Sequence, residues 1–178
     1  MPDPAGPAID LAATWSDALP YARFMADVSE VHPLWQSVYR TAVIPDWALE
    51  RAARLARPVR LLAIVEGWCG DGGSTIPVLA KLADVTARLE VRVIRRDEHP
   101  AVMDRYLTNG ARAIPIVVAL DDAGHERGHW GPRPAELQAW VVAHKGELAP
   151  AERFREVRRW YARDRGSSVL REILDLLG

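Results

Sequence analysis

The sequence predicts an α/β fold with a central mixed β-sheet flanked by helices. Two apolar runs at 59–65 and 91–94 enclose a helical pattern at 74–84, which is the order of a βαβ unit with parallel strands. A β-rich run at 114–120 is followed by a turn and by another run at 125–130, as in an antiparallel hairpin. A sheet that holds both kinds of strand pair is mixed.

The N-terminal region predicts a helical extension. Residues 1–7 are rich in Pro and Gly and are expected to form a loose tail, while residues 15–57 predict two or three helices. We expect Ser16 to cap the first helix, Pro33 to lie in the first turn of the second, and Asp46 to cap the last. Six aromatic side chains are expected to pack this layer onto the sheet. They are Trp15, Tyr21, Phe24, Trp35, Tyr39 and Trp47.

The segments that connect the strands carry their own helix and turn signals. Asp97 is expected to cap a helix at 100–107. Residues 121–124 (Asp-Asp-Ala-Gly) predict the hairpin turn. Pro134 suits the first turn of a helix at 135–144.

The chain is expected to form one structural domain with two extensions. A core at 57–145 follows an N-terminal tail and helical extension at 1–56 and precedes a C-terminal helical extension at 146–178. The C-terminal extension predicts two helices, the second capped by Ser167 or Ser168. Its apolar stripe is expected to dock either on this domain or on a second subunit, which makes a homodimer possible.

Composition excludes several function classes. A formal net charge of −1 argues against nucleic acid as an electrostatic partner. The N-terminal stretch has neither the basic nor the apolar region of a signal peptide. No apolar run approaches the roughly 20 residues that a membrane-spanning helix needs. We therefore expect a cytoplasmic protein that binds no membrane.

The chain has one cysteine, Cys69, between the first predicted strand and the helix that follows it. A helix N-terminus offers unpaired N–H groups and a partial positive charge, which favour a thiolate. Dithiol redox enzymes carry Cys-x-x-Cys, and here Gly72 stands at the second cysteine position. The sequence thus indicates a redox site but excludes a disulfide within the chain.

Several motifs together resemble the thioredoxin-like family. Residues 68–70 (Trp-Cys-Gly) match the start of its active-site motif, and Pro77 matches the proline that kinks its active-site helix. Residues 114–115 (Ile-Pro) match the step at which that family has a cis-proline facing the active site. The resemblance covers roughly 57–144 and implies a thioredoxin-like fold.

The resemblance is strongest to an uncharacterised bacterial branch of that family. We associate this branch with Trp-Cys-Gly-Asp, Tyr-Leu-Thr-Asn-Gly and Trp-Gly-Pro-Arg-Pro, found here at 68–71, 106–110 and 130–134. The helical flanks also resemble those of the branch.

Three departures from the thioredoxin pattern affect the chemistry. Gly72 removes the resolving cysteine, and Ala63 stands where thioredoxins keep a buried acid. Asp71 replaces the motif proline and puts a negative charge two residues from the thiol. That charge raises the pKa of the Cys69 thiol whereas the helix terminus lowers it, and the sequence leaves the net direction open.

Two functions remain open at this stage. The first is a single-cysteine thiol–disulfide oxidoreductase with Cys69 and Asp71 as catalytic residues. Its partner would be an external low-molecular-weight or protein thiol or disulfide, and no cofactor is expected. The second is a non-catalytic binding module for a peptide or protein. In both, the residues expected to bind the partner are Trp68, Gly70, Gly72, Ile114 and Pro115.

Other motifs give weaker hypotheses. Residues 125–129 (His-Glu-Arg-Gly-His) match a zinc-protease pattern, but in a strand the two histidines lie about 13 Å apart, so no metal site is expected. Glu66 stands where peroxiredoxins need Thr or Ser, and the monothiol glutaredoxin motif is matched only at its Cys-Gly start. Three arginines at the second strand predict a solvated strand end, with an anion site as the alternative. They are Arg92, Arg95 and Arg96.

Overall fold

The computed structural model describes residues 9–27 and 31–178, so the predicted loose tail at 1–7 lies outside the described residues. Five strands form the sheet. They are β1 (Leu19–Pro20), β2 (Val59–Val65), β3 (Leu89–Arg95), β4 (Ile116–Leu120) and β5 (Glu126–Trp130).

Helices surround the sheet. In chain order they are α1 (Leu11–Asp17), α2 (Tyr21–Met25), α3 (Pro33–Thr41), α4 (Asp46–Ala53), α5 (Gly70–Asp84), α6 (Pro100–Met103), α7 (Ala135–Ala143), α8 (Pro150–Asp164) and α9 (Ser167–Leu177). A single 3-10 turn, Asp104–Tyr106, follows α6 among the described residues.

The sheet is mixed, as the sequence predicts. Its strand order is β1-β3-β2-β4-β5, with β2 and β3 parallel and the other neighbours antiparallel. Six of the seven residues of β2 are buried, and so are all five of β4, which suits central strands covered on both faces. The edge strand β5 alternates between exposed and less exposed residues. This order puts the carboxyl end of β2, and with it Cys69, in the middle of the sheet.

One hydrophobic core joins the sheet to both extensions. From the N-terminal side Phe24 and Trp35 are fully buried, with ring centroids 5.0 Å apart. From the C-terminal side α9 buries a stripe that includes Ile173 and Leu174. Each such side chain stabilises the fold by about 1.5–3 kcal/mol through the water it excludes. The stripe of α9 therefore docks on this domain.

Polar contacts fix α9 on the sheet and on α4. Trp130 at the end of β5 donates its indole N–H to Glu172, with an N–O distance of 2.6 Å. Arg51 of α4 forms an ion pair with Asp175 at 2.7 Å. The C-terminal extension is thus held by directional contacts as well as by apolar packing.

The first helix begins earlier than its predicted cap. Asp10 is the cap residue and accepts a hydrogen bond from the Ala13 N–H at 2.9 Å, so the predicted cap at Ser16 is wrong. Asp caps a helix as well as Ser does, and Asp10 precedes the whole apolar pattern. Ser16 lies inside the helix and donates to the Ala12 carbonyl.

Three other predicted caps are also wrong. Pro45, His99 and Gly166 occupy the cap positions of α4, α6 and α9. Asp46 and Ser167 are the first residues of their helices, and Ser168 follows Ser167. The Asp97 carboxylate pairs with Arg96 instead. None of the three observed cap residues makes a side-chain hydrogen bond to its helix, so these helices have no side-chain cap and their cap positions lie one or two residues away from the predicted ones.

The short edge strand β1 carries no periodic signal and was not predicted. Its two residues pair with β3, where Leu19 faces Val93. The predicted helix at 100–107 splits into α6 and the 3-10 turn.

The first turn of α5 lies unusually close to Trp35. The helix begins at Gly70, four residues before the predicted start at 74. Glycine has a low intrinsic helix propensity, so packing rather than propensity stabilises this first turn. A Cβ on Gly72 would lie 2.5 Å from Val65 Cγ2 and 3.1 Å from Trp35 Cζ2, whereas a Cβ on Gly70 would meet nothing within 4 Å.

These two glycines form a matched test of that packing. We expect Gly72→Ala to lower the free energy of unfolding by about 1–3 kcal/mol through overpacking against Val65 first and Trp35 second. Gly70→Ala should leave it unchanged or raise it by up to about 1 kcal/mol, because alanine favours the helix. Urea unfolding curves measure both. Equal effects at the two positions would contradict the close approach.

Candidate functional site

Cys69 is the cap residue of α5 and lies among buried groups. Its sulfur accepts a hydrogen bond from the Gly72 N–H at 3.3 Å, and its thiol donates to the Ile114 carbonyl with an S–O distance of 3.6 Å. The residue is 6% exposed. One thiol therefore bridges the start of α5 and the loop before β4.

The predicted partner-binding residues lie around this thiol with unequal exposure. Trp68 is 57% exposed and Gly70 is open to solvent. Ile114 and Pro115 are buried, and the peptide bond between them is cis. Gly72 is buried against Trp35 and is therefore not open to an incoming partner. Its contact with the site is the backbone N–H that it donates to the Cys69 sulfur. Trp68 and Gly70 thus form the accessible side of the site.

The two arginines of β3 and Arg96, which follows the strand, do not converge on one anion site. Arg92 pairs with Glu90 at 2.8 Å, and Arg95 pairs with Asp27 at 2.9 Å. Arg96 is the one beside the thiol region, because its guanidinium carbon lies 5.3 Å from the Trp68 ring centroid. It also pairs with Asp97 at 2.8 Å.

Asp71 takes part in a network that the sequence did not reveal. Arg133 contacts it through two nitrogens, at 3.0 Å to Oδ1 and 2.8 Å to Oδ2, and Tyr161 donates its hydroxyl to Oδ1 at 2.8 Å. The Asp71 and Arg133 side chains are only 14% and 20% exposed. Asp71 is thus a largely buried carboxylate in the first turn of α5, paired with side chains from two other segments of the chain.

Electrostatics keep the Cys69 thiol protonated. Burial raises the pKa of Cys69 to about 11, and the negative charge of Asp71 adds to this increase. The Gly72 N–H and the Arg133 charge oppose it and are weaker. The direction that the sequence left open is therefore upward, because desolvation outweighs the helix terminus.

The His-Glu-x-x-His pattern lies on a turn and a strand. His125 contacts Asp121 at 3.2 Å, whereas His129 contacts Glu126 at 3.1 Å, so the two rings have separate carboxylate partners. Tyr106 donates to the same Glu126 at 2.9 Å. Within 9–27 and 31–178, no cluster of three potential ligands could hold a metal ion.

In the same residues no helix is long and apolar enough to cross a bilayer.

The raised thiol pKa predicts a loss of stability at alkaline pH. The unfolded thiol ionises near pH 8.5–9 while the folded thiol holds its proton to about pH 11, so stability falls as pH rises through this window. The loss should reach about 2–3 kcal/mol by pH 11. Urea unfolding of the wild type and of Cys69→Ser at pH 8 and 10.5 measures the difference. Parallel profiles for the two proteins would contradict the raised pKa.

The Asp71–Arg133 pair predicts a second stability effect. Arg133→Met leaves a mostly buried carboxylate without its cation and should lower the free energy of unfolding by about 2 kcal/mol. The double variant Arg133→Met/Asp71→Asn, which removes the unpaired charge, should recover part of the lost free energy of unfolding. The control is Arg159→Met, whose pair with Glu156 has side chains 63% and 38% exposed and should be worth under about 1 kcal/mol. Similar losses in the two single variants would argue against the network.

Two solved structures are similar in fold. A protein of unknown function from Pseudomonas aeruginosa has a TM-score of 0.72 at 20% identity, with 96% of this chain and 98% of that chain covered. An HIV epitope-scaffold has a TM-score of 0.72 at 17% identity, with 95% and 98% covered. No curated protein matches the chain.

A family model described as thioredoxin matches residues 19–153. This match begins at β1 and continues past α7, so it contains the whole mixed sheet, Cys69 and the loop before β4. The α/β fold is therefore thioredoxin-like, as the motifs predict, and the chain belongs to the thioredoxin family.

Proposed function

We propose that this protein is a single-cysteine thiol–disulfide exchange protein that captures an external thiol on Cys69. The observation that carries the proposal is the position of the sulfur, at the cap of α5 and opposite the Ile114 carbonyl. The membership in the thioredoxin family supports it. Because the chain has one cysteine, the second thiol comes from outside.

The exchange balances with an external disulfide as the oxidant. Cys69 loses its proton, and its thiolate attacks one sulfur of the disulfide R–S–S–R′. A bond forms between Cys69 and R–S, the bond between the two external sulfurs breaks, and R′–S⁻ leaves and takes up a proton. The thiolate of a further external thiol, R″–S⁻, then attacks the R sulfur of the mixed disulfide. The disulfide R–S–S–R″ forms, the bond to Cys69 breaks, and the released Cys69 thiolate takes up a proton.

The surroundings of the thiol have separate roles in this proposal. The exposed Trp68 and the open Gly70 contact the incoming molecule, and the Ile114 carbonyl and the Gly72 N–H hold the sulfur in place. The Asp71 carboxylate acts through its charge, since Arg133 and Tyr161 occupy its oxygens. Proton transfer by Asp71 stays a prediction.

The raised pKa makes this a capture site rather than a fast reductase. With a pKa of about 11, on the order of one thiol in ten thousand is ionised at pH 7, so attack is slow. Thiols of high pKa are also poor leaving groups, so a later thiol expels Cys69 slowly from its mixed disulfide. A mixed disulfide on Cys69, once formed, should therefore persist.

The proposal predicts that folded Cys69 forms a mixed disulfide with glutathione disulfide. Mass spectrometry should detect one added glutathione per chain, with a rate that rises up to about pH 10–11. Addition of a reducing thiol should reverse the adduct, and Cys69→Ser should give none. Urea-unfolded protein is the control, and its rate should level off near pH 8.5–9. A folded protein that forms no adduct at any pH below unfolding would overturn the proposal.

A non-catalytic binding module is the second candidate, and the burial of the thiol favours it. Cys69 is 6% exposed and its sulfur already has hydrogen-bond contacts on both sides, which suits a helix cap with no further role. In that case the native thiol reacts with an aromatic disulfide reagent only as fast as the protein unfolds. A reaction faster than unfolding, measured from parallel unfolding kinetics, would exclude this candidate.

A further inference from the structure

A cavity away from the thiol lies between α3, α5 and α8. Its volume is about 530 Å³, within the range of about 300–1,000 Å³ typical of small-molecule sites. Much of its lining is aliphatic. These side chains are Leu34, Val38, Ala42, Val43, Val78 and Ala162. Val43 is 80% exposed, so an apolar side chain beside the cavity remains in contact with water.

The charge of the lining is positive. Arg158 and Arg165 line the cavity, and no acidic residue does. Both arginines are exposed, so they lie on its solvent side. Within the part of the chain that the structure describes, neither guanidinium has an ion-pair partner.

The hydroxyl groups of the lining already have acceptors. Thr41 donates to the Ser37 carbonyl, Ser74 donates to the Gly70 carbonyl, and Tyr161 donates to Asp71. The side-chain donors left for a ligand are therefore the two guanidinium groups, which bind carboxylates in a bidentate way.

We propose that this cavity binds a small carboxylic acid with an apolar chain. The chain lies against the aliphatic wall and covers Val43, while the carboxylate pairs with Arg158 and Arg165. This inference is independent of the thiol chemistry, because Cys69 does not line the cavity.

Titration calorimetry with octanoate, decanoate and dodecanoate below their micellar concentrations tests the proposal on the full chain. We expect one site per chain, and an affinity that rises roughly fourfold for each methylene buried. Decylamine has the same chain but a positive head group, and it should bind at least tenfold more weakly than decanoate.

Variants locate the site. Thr41→Trp fills the cavity from an exposed position and should abolish decanoate binding, whereas Ser37→Trp, four residues earlier on α3, should not. The double variant Arg158→Gln/Arg165→Gln should weaken binding at least tenfold, and Arg163→Gln, an exposed arginine of α8 outside the lining, should not. Circular dichroism checks that each variant folds. If Thr41→Trp does not fold, the arginine variants alone decide the question.

Three results would overturn the proposal. The first is no decanoate binding at millimolar concentration, and the second is binding that neither Thr41→Trp nor the double arginine variant changes. The third is a wild-type chain that sediments as a dimer and does not bind decanoate, together with a Thr41→Trp variant that sediments as a monomer. In that case a second copy of the chain covers this face.

Discussion

The close packing of the first turn of α5 on Trp35 is the constraint on which the site depends. A Cβ on Gly73 would lie 3.0 Å from two atoms of the Trp35 ring, and a Cβ on Gly72 would approach both Trp35 and Val65. Position 72 is where a dithiol enzyme has its second cysteine. The buried tryptophan and the missing cysteine are therefore linked, because a larger side chain at 72 requires the helix or the ring to move. That packing also fixes the Gly72 N–H that holds the Cys69 sulfur.

The network around Asp71 connects this turn to the rest of the chain. Arg133 lies between β5 and α7, and Tyr161 lies on α8, so three distant segments meet at one carboxylate. Burial of the Tyr161 hydroxyl, together with the charge of Asp71, strongly raises the pKa of Tyr161. A hydroxyl that stays protonated remains a hydrogen-bond donor, so Tyr161 helps to hold the Asp71 carboxylate in place near the thiol. The high pKa of Cys69 thus rests on burial first and on this fixed charge second.

The sequence predicted the sheet well because its strands carry strong apolar patterns, most clearly β2 and β4. It missed the start of α5, where glycines have low helix propensity and packing against Trp35 decides. Cys69 was found because it is the one thiol beside a helix start. Arg133 and Tyr161 were missed because they lie 62 and 90 residues from Asp71 in the chain. The pKa direction also depended on how deeply the fold buries the sulfur, which local sequence does not encode.

The helical extensions shape the chemistry of the thioredoxin-like core. The N-terminal extension supplies Trp35, which lies under the first turn of α5, and the C-terminal extension supplies Tyr161, which fixes Asp71. A core without them would keep Cys69 and the Ile114 carbonyl but lose the packing on Gly72 and one of the two groups that pair Asp71. Because burial is the largest cause of the raised pKa of Cys69, any loosening of this packing that exposes the thiol would lower that pKa toward its ordinary value. The surroundings of Cys69 therefore depend on both extensions as well as on the core.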